Sequence, residues 1–235
     1  MPPTALLRRL LPALAGFAIT LPALAASEPP SAPVLPKADF GKAAHSADTG
    51  RLADWIVRTR DNKGAPFALI DKRGARVFVF DAGGHLRGDA PVLLGLAHGD
   101  RTVPGIGDKP LAQIKDWERT TPAGRFVGEH GDNAHGVHVI WIDYDAAVSM
   151  HPVITNNPKE HRLERLQTPT VADNRISYGC VNVPIAFFHE VVEKTLAAEH
   201  PVIYVLPDMH PAASVFAGLS GARTSTPVHT ALARK

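Results

Sequence analysis

The sequence holds little that would staple, steer or repeat. Of its 235 residues only one, Cys180, is a cysteine, so no internal disulfide can form. It carries no charge excess: 25 Lys and Arg face 23 Asp and Glu, a formal net charge of +2. No basic run is present, which removes the electrostatic footprint of a nucleic-acid binder. Neither G-x-G-x-x-G nor G-x-x-x-x-G-K-[ST] occurs, which argues against dinucleotide and P-loop phosphate sites. No internal repeat is visible. What is left is an ordinary globular composition, 45% hydrophobic and 20% charged, at a length for one domain or two small ones.

The first residues read as a secretory signal peptide, 1–25. Arg8 and Arg9 form a basic start, 10–21 is an apolar run, and Ala23-Leu24-Ala25 is an A-x-A cleavage pattern. The run is short for a membrane span, and an uncleaved anchor is the alternative. Losing Arg8 and Arg9 leaves 23 basic against 23 acidic residues. Residues 26–45, rich in Pro, Ala and Ser, read as a linker. In an exported chain a single cysteine is a partnerless thiol or a working one. On count alone a buried structural thiol, an intermolecular disulfide and catalysis are all open.

The periodicity predicts an N-terminal helix over 46–64. Ser46 or Asp48 can cap it, and Leu52, Trp55 and Ile56 lie at helical spacing as packing residues. Strands follow at 67–70 and 76–80 around the hairpin signal Asp71-Lys72-Arg73-Gly74. Further strands are expected at 91–96, 125–127, 137–142, 146–150 and 202–206. A Gly- and Pro-bearing loop spans 98–121. The polar stretch 156–175 has room for a short helix around Leu163 and Leu166. Pro184 suits the first position of a helix reaching about residue 198, because its missing N–H is not needed there. Residues 208–235 read as a flexible C-terminal tail. The order gives an α+β class, mostly β.

The informative string is Ile176-Ser177-Tyr178-Gly179-Cys180-Val181-Asn182-Val183-Pro184. Gly179 permits a sharp turn and a close substrate approach. N–H groups around Cys180 can lower a thiol pKa and hold an oxyanion. Asn182 adds a neutral donor and acceptor. On these residues alone, catalysis and a buried structural thiol both stay open. A catalytic thiol needs a base, and His151 is the candidate, since it ends an apolar strand at a rigid position. The alternative is that it is one ordinary histidine among 12. His130, His135 and His138 cluster without a zinc-ligand spacing and read as a polar turn. His189-Glu190 lacks the second histidine of a metalloprotease helix and reads as a solvated face. Arg175 and Arg125 are candidates for holding a substrate carboxylate, Arg175 because it lies near the cysteine string.

The string resembles the [S/T]-H-G-C signature, with a following Asn or Arg, of the L,D-transpeptidase catalytic domain of bacterial envelopes (YkuD type). The upstream Ser149-Met150-His151 matches the position of that family's histidine. Thr121-Pro122-Ala123-Gly124-Arg125-Phe126 is similar to its T-P-x-G-x-F segment, and Pro104-Gly105-Ile106-Gly107 precedes it. The resemblance covers about 66–206, within a catalytic domain set at 65–207. It implies a β-sandwich-like fold, Cys180 as nucleophile, and His151 as base oriented by the Pro152 carbonyl. It also implies an oxyanion hole of N–H groups near Tyr178, Gly179 and Cys180. Beside these, Ser177, Asn182 and Arg175 are candidates for the substrate side. The implied reaction is thioester formation with peptidoglycan tetrapeptide stems, loss of D-alanine, and transfer to an acceptor amine. A hydrolase on the same scaffold and a non-catalytic wall-binding module are the rivals. The expectations that follow are a periplasmic monomer with no metal or organic cofactor, peptidoglycan stem peptides as partners, and carbapenem-type inhibitors. Two departures stand out. Tyr178 replaces the usual histidine, and the span from His151 to Cys180 is long, so 156–174 is expected to form a flap over the cleft.

Overall fold

Phe67–Asp71 (β1) and Arg76–Phe80 (β2) are apolar at nearly every position, where a half-exposed strand would alternate. The computed structural model, which describes residues 35–221, shows why. Both strands belong to a five-stranded sheet that is covered on both faces. With Leu86–Pro91 (β3), Gly124–Val127 (β5) and Val202–Val205 (β11), the order is β3-β2-β1-β11-β5. On one face Phe67, Leu69, Phe78, Phe80 and Tyr204 meet Leu52, Ala53 and Ile56 of the helix Ala47–Thr59 (α1). On the other face Ala68, Ile70, Val77, Val79, Ile203 and Val205 meet a second sheet.

That second sheet contains Glu129–Asp132 (β6), His138–Asp143 (β7), Val148–Pro152 (β8) and Val181–Val183 (β10), in the order β10-β8-β7-β6. A short parallel pair, Leu94–Gly95 (β4) and Arg175–Ser177 (β9), completes the strands. The layers are helix, sheet and sheet. Each large side chain buried between them contributes about 1.5–3 kcal/mol.

Local chemistry places α1. The Ser46 hydroxyl accepts from the Thr49 N–H at 3.1 Å, a cap worth about 1 kcal/mol. The Ser46 and Thr49 hydroxyls then donate to Asp71 Oδ2 at 2.7 and 2.9 Å, tying the helix start to the β1–β2 turn.

Several boundaries differ from the sequence reading. The expected strand at 91–96 is divided. Pro91 ends β3, and Leu93 exchanges backbone hydrogen bonds with Asn182 before β4 begins. The expected linker folds at its end, where Phe40 is buried edge-on to Phe78 and Phe80. Residues 208–221 of the expected tail fold too. The helix Ala212–Val215 (α5) and Phe216 pack on the core, with Phe216 beside Tyr204. Their apolar positions are too few to read as periodic. The helix after Pro184 begins at Ile185–Phe187 (α3) and passes through a π turn, Phe188–Val192, into Glu193–Thr195 (α4). The signal peptide, residues 26–34 of the linker and residues 222–235 of the tail lie outside the described residues. Among the described residues, no helix is long and apolar enough to cross a membrane.

Candidate active site

β8 and β10 run parallel, with Met150 opposite Val181 and His151 opposite Asn182. Strand side chains alternate, so the register sorts two strands into two faces. Val148, Met150, Val181 and Val183 enter the core between the sheets. Ser149, His151, Cys180 and Asn182 therefore share the opposite face. Trp141 of β7, paired with Ser149, joins them. A slip of one residue would turn the polar set into the core between the sheets and the apolar set out of it.

Around the thiol, Cys180 Sγ lies 3.5 Å from the Ser149 N–H donor and 3.7 Å from Ser149 Oγ. Its own S–H donates to the Ala147 carbonyl at 3.6 Å. The His151 Nδ1–H donates to Pro152 O at 2.8 Å. A carbonyl can only accept, so Nε2 is left with the lone pair a base needs. Nε2 stands 3.5 Å from Asn182 Nδ2. Burial pushes the Cys180 thiol up, but the His151 imidazole outweighs it, helped by the Ser149 N–H and hydroxyl. The net effect holds the thiol below its ordinary value. The thiol thus sits among the Ser149 N–H and hydroxyl, the Ala147 carbonyl and the His151 ring.

The turn before Cys180 is locked. Gly179 has φ +133°, and a Cβ there would sit 2.8 Å from the Thr120 carbonyl oxygen. The Thr121 hydroxyl donates to Gly179 O at 2.7 Å and accepts from the Gly95 N–H at 2.9 Å. Ser177, expected on the substrate side, is used internally: its hydroxyl accepts from the Gly179 N–H at 3.1 Å and donates to Cys180 O at 2.6 Å. Of the expected oxyanion-hole donors, one is therefore used within the turn. The Gly179 N–H is already engaged, whereas the N–H groups of Tyr178 and Cys180 have no acceptor among the described residues.

Asn182 is fully buried. Its Nδ2 also reaches Cys180 O at 3.4 Å, and its Oδ1 accepts from Arg162 Nη1 at 2.7 Å. Arg162 starts the helix Arg162–Gln167 (α2), inside the expected flap. The flap is anchored, since Leu166 packs with Leu93 and Val153. Ala147 also lines a cleft of about 470 Å³ with Gly105, Gly107, Asp108, Trp141 and Tyr144. A larger cleft of about 900 Å³, lined by His98, Trp117 and Met209 among others, contains none of the expected site residues.

Two arginines go elsewhere than expected. Arg175 is buried, and its guanidinium meets Asp208 at 2.7 and 3.0 Å and Lys72 O at 2.8 Å. Lys72, fully buried, bonds Asp100 at 3.0 Å. Burial pushes the Lys72 ammonium below its ordinary value despite Asp208 and Asp100. Burial also raises Asp100, but His210, the Asp208 N–H and Lys72 outweigh it and hold its carboxyl well below the usual range. Arg125 pairs with Asp61 at 2.7 Å. Neither Arg175 nor Arg125 is free for a substrate carboxylate. Three residues that the sequence reading did not single out as site members do touch the site: Ser149, Arg162 and Arg119. Arg119 lies over Tyr178, with Cζ 4.0 Å from the ring centre. For Ser149 the signal was available, because it sits two residues before His151 on one strand face. His130 and His138 stack across the β6–β7 hairpin, with ring centres 5.3 Å apart. Among the described residues, no group of three or more His, Cys, Asp or Glu is placed to hold a metal.

No family model matches the chain, and no curated protein matches it. Among solved structures it is similar to L,D-transpeptidase from Enterococcus faecium, at 16% identity and TM-score 0.36, covering 60% of this chain and 50% of that one. It is similar to an L,D-transpeptidase solved in complex with imipenem, at 15% identity and TM-score 0.35, covering 60% and 59%. A third is the helical cell shape determining protein of Campylobacter jejuni, at 13% identity and TM-score 0.39, covering 74% and 62%. The solved structures it is similar to include several L,D-transpeptidases. The chain spans about half the length of the first of them. At that distance, the roles of individual residues rest on the geometry of this chain.

Proposed function

We propose that the chain is a cysteine acyltransferase of the L,D-transpeptidase type, acting on peptidoglycan stem peptides in the periplasm. The observation that carries this reading is the shared face of Ser149, His151, Cys180 and Asn182, with the thiol held below its ordinary value. The S–H rotates from Ala147 O toward His151 Nε2 and gives up its proton. The thiolate, backed by the Ser149 N–H, attacks the carbonyl between the diamino acid centre and the terminal D-alanine. The N–H groups of Tyr178 and Cys180 take the developing oxyanion. The imidazolium returns the proton to the departing D-alanine amine, leaving a thioester on Cys180. An amine of a second stem then attacks the thioester, His151 accepts its proton, and the thiol is restored. Both halves use the same base.

Incubation with a purified disaccharide-tetrapeptide, followed by mass spectrometry, tests the reading. A cross-linked dimer with release of D-alanine supports transfer. A tripeptide without dimer assigns the same thiol to hydrolysis. Unchanged substrate contradicts both. The same thiolate is the expected target of carbapenems.

A further inference from the structure

We infer that Arg119, held flat on Tyr178, binds the terminal carboxylate of the peptide that Cys180 attacks. The inference rests on the reading of Cys180 as a nucleophile toward stem peptides, and it names the group that orients the donor.

The backbone at Arg119 is fixed beside the cysteine turn. Its carbonyl accepts from the Ala97 N–H at 3.0 Å, and a Cβ on Gly95 would lie 2.3 Å from that oxygen. The next two residues contact the turn itself, through Thr120 O near Gly179 and the Thr121 hydroxyl on Gly179 O. Tyr178 is two residues from Cys180, so their Cα atoms are at most about 7 Å apart. Arg119 is therefore tied, through backbone and side chain, to the turn that carries the reacting sulfur.

Among the described residues the guanidinium has no buried anion beside it. Nη2 donates to the Tyr178 hydroxyl at 3.3 Å, and the group lies over the ring. Nη1 is 3.4 Å from Asp116 Oδ1, but Asp116 is 78% exposed and such surface pairs are worth little. Nε is buried and has no acceptor among the described residues. The side chain as a whole is only 21% exposed. A cation this desolvated, offering five N–H donors and no buried anion, is costly unless something planar and negative completes it. A carboxylate does so through a two-pronged contact. The terminal D-alanine carboxylate lies one residue from the attacked carbonyl, which suits an arginine held on the Tyr178 side of the cysteine turn. Tyr178 fits this role better than a histidine. It gives Arg119 an aromatic face and a neutral hydroxyl, where an imidazolium would repel it.

The test is calorimetric titration of full-length Cys180→Ala protein with a stem tetrapeptide ending in D-alanine, as the free acid and as the C-terminal amide. The acid is expected to bind about 10-fold tighter or more, the scale of one charge-assisted pair. Adding Arg119→Gln should bring the acid down to the affinity of the amide and leave the amide unchanged. Arg119→Lys should keep only part of the preference, because an ammonium lacks the fork. Equal binding of acid and amide, a preference that survives Arg119→Gln, or no measurable binding of the acid would overturn the inference. If Arg119→Gln does not fold, Arg119→Lys decides: a reduced preference supports the inference, and an undiminished one overturns it. A preference that depends on Arg119, in a protein whose intact Cys180 forms no thioester with the acid, would keep the carboxylate site and sink the acyltransferase reading.

Discussion

Among the described residues Arg175 and Arg119 each leave a buried Nε without an acceptor, and there the likeness ends. Arg175 belongs to a closed cluster in which two cations, Lys72 and Arg175, meet two anions, Asp100 and Asp208. Every charge is answered within the chain, so the cluster joins the β1–β2 turn, β9 and the segment after β11. Arg119 belongs to an open arrangement. Its ring partner is a phenol, its carboxylate neighbour among the described residues is on the surface, and the thiol two residues beyond Tyr178 is held below its ordinary value. The difference separates charges used for architecture from charges held in reserve for a ligand. It also yields opposite expectations for mutation: damage to the closed cluster should cost stability, and damage to the open one should cost chemistry.

The largest effect is expected at the base. His151→Ala should lower turnover of a stem donor by roughly 10²–10⁴-fold, the usual worth of a positioned general base. Denaturant unfolding should change by only about 1 kcal/mol. A large loss of stability with turnover retained would move His151 into the architectural class.

Next comes the closed cluster. Asp208→Ala strands Arg175 in the interior, while Lys72 keeps Asp100, and should cost about 3–5 kcal/mol in urea unfolding. The protein that remains folded should alkylate Cys180 at the parental rate. A slower thiol at unchanged stability would show that the two clusters are one.

The acid limb of stability sharpens the same contrast. Asp100 has its folded pKa depressed, so its contribution is fully present above the unfolded value of about 3.9 and is lost as pH falls through the folded one. Stability should therefore drop below about pH 4, and Asp100→Asn should flatten that drop. An unchanged acid limb in Asp100→Asn would place the loss elsewhere.

Smallest is the expected change in thiol titration. The iodoacetamide alkylation rate of Cys180 should reach half-maximum below the ordinary thiol value of about 8.5, and His151→Ala should raise that midpoint. Ser149→Ala keeps the backbone donor and should shift the midpoint less. A wild-type midpoint at or above the ordinary value would mean that burial has won over the imidazole.

Much of this was legible along the chain, because it depends on neighbours in sequence. The alternation in Val148-Ser149-Met150-His151 and Cys180-Val181-Asn182-Val183 carries the two faces of the sheet, and the Ser46 cap and the 71–74 turn are local chemistry. The pairing of charges was not legible. Lys72, Asp100, Arg175 and Asp208 come from four separate elements, and only the folded register brings them together. Arg175 was read as a ligand group because it lies five residues before Cys180. Yet its guanidinium turns to Asp208, 33 residues further along the chain. Arg119 reaches Tyr178 across 59 residues, a contact that no spacing rule announces. The fold of 208–221 was missed for a related reason. Phe216 and its neighbours are too few for a periodic signal, but they suffice to cover Tyr204 once the sheet exists.

The most direct test of Cys180 as an activated nucleophile is intact-protein mass spectrometry after exposure to a carbapenem near neutral pH. The expected result is a single covalent adduct, absent in Cys180→Ala and formed far more slowly in His151→Ala. No adduct at high drug excess, or an adduct that persists in Cys180→Ala, would contradict it.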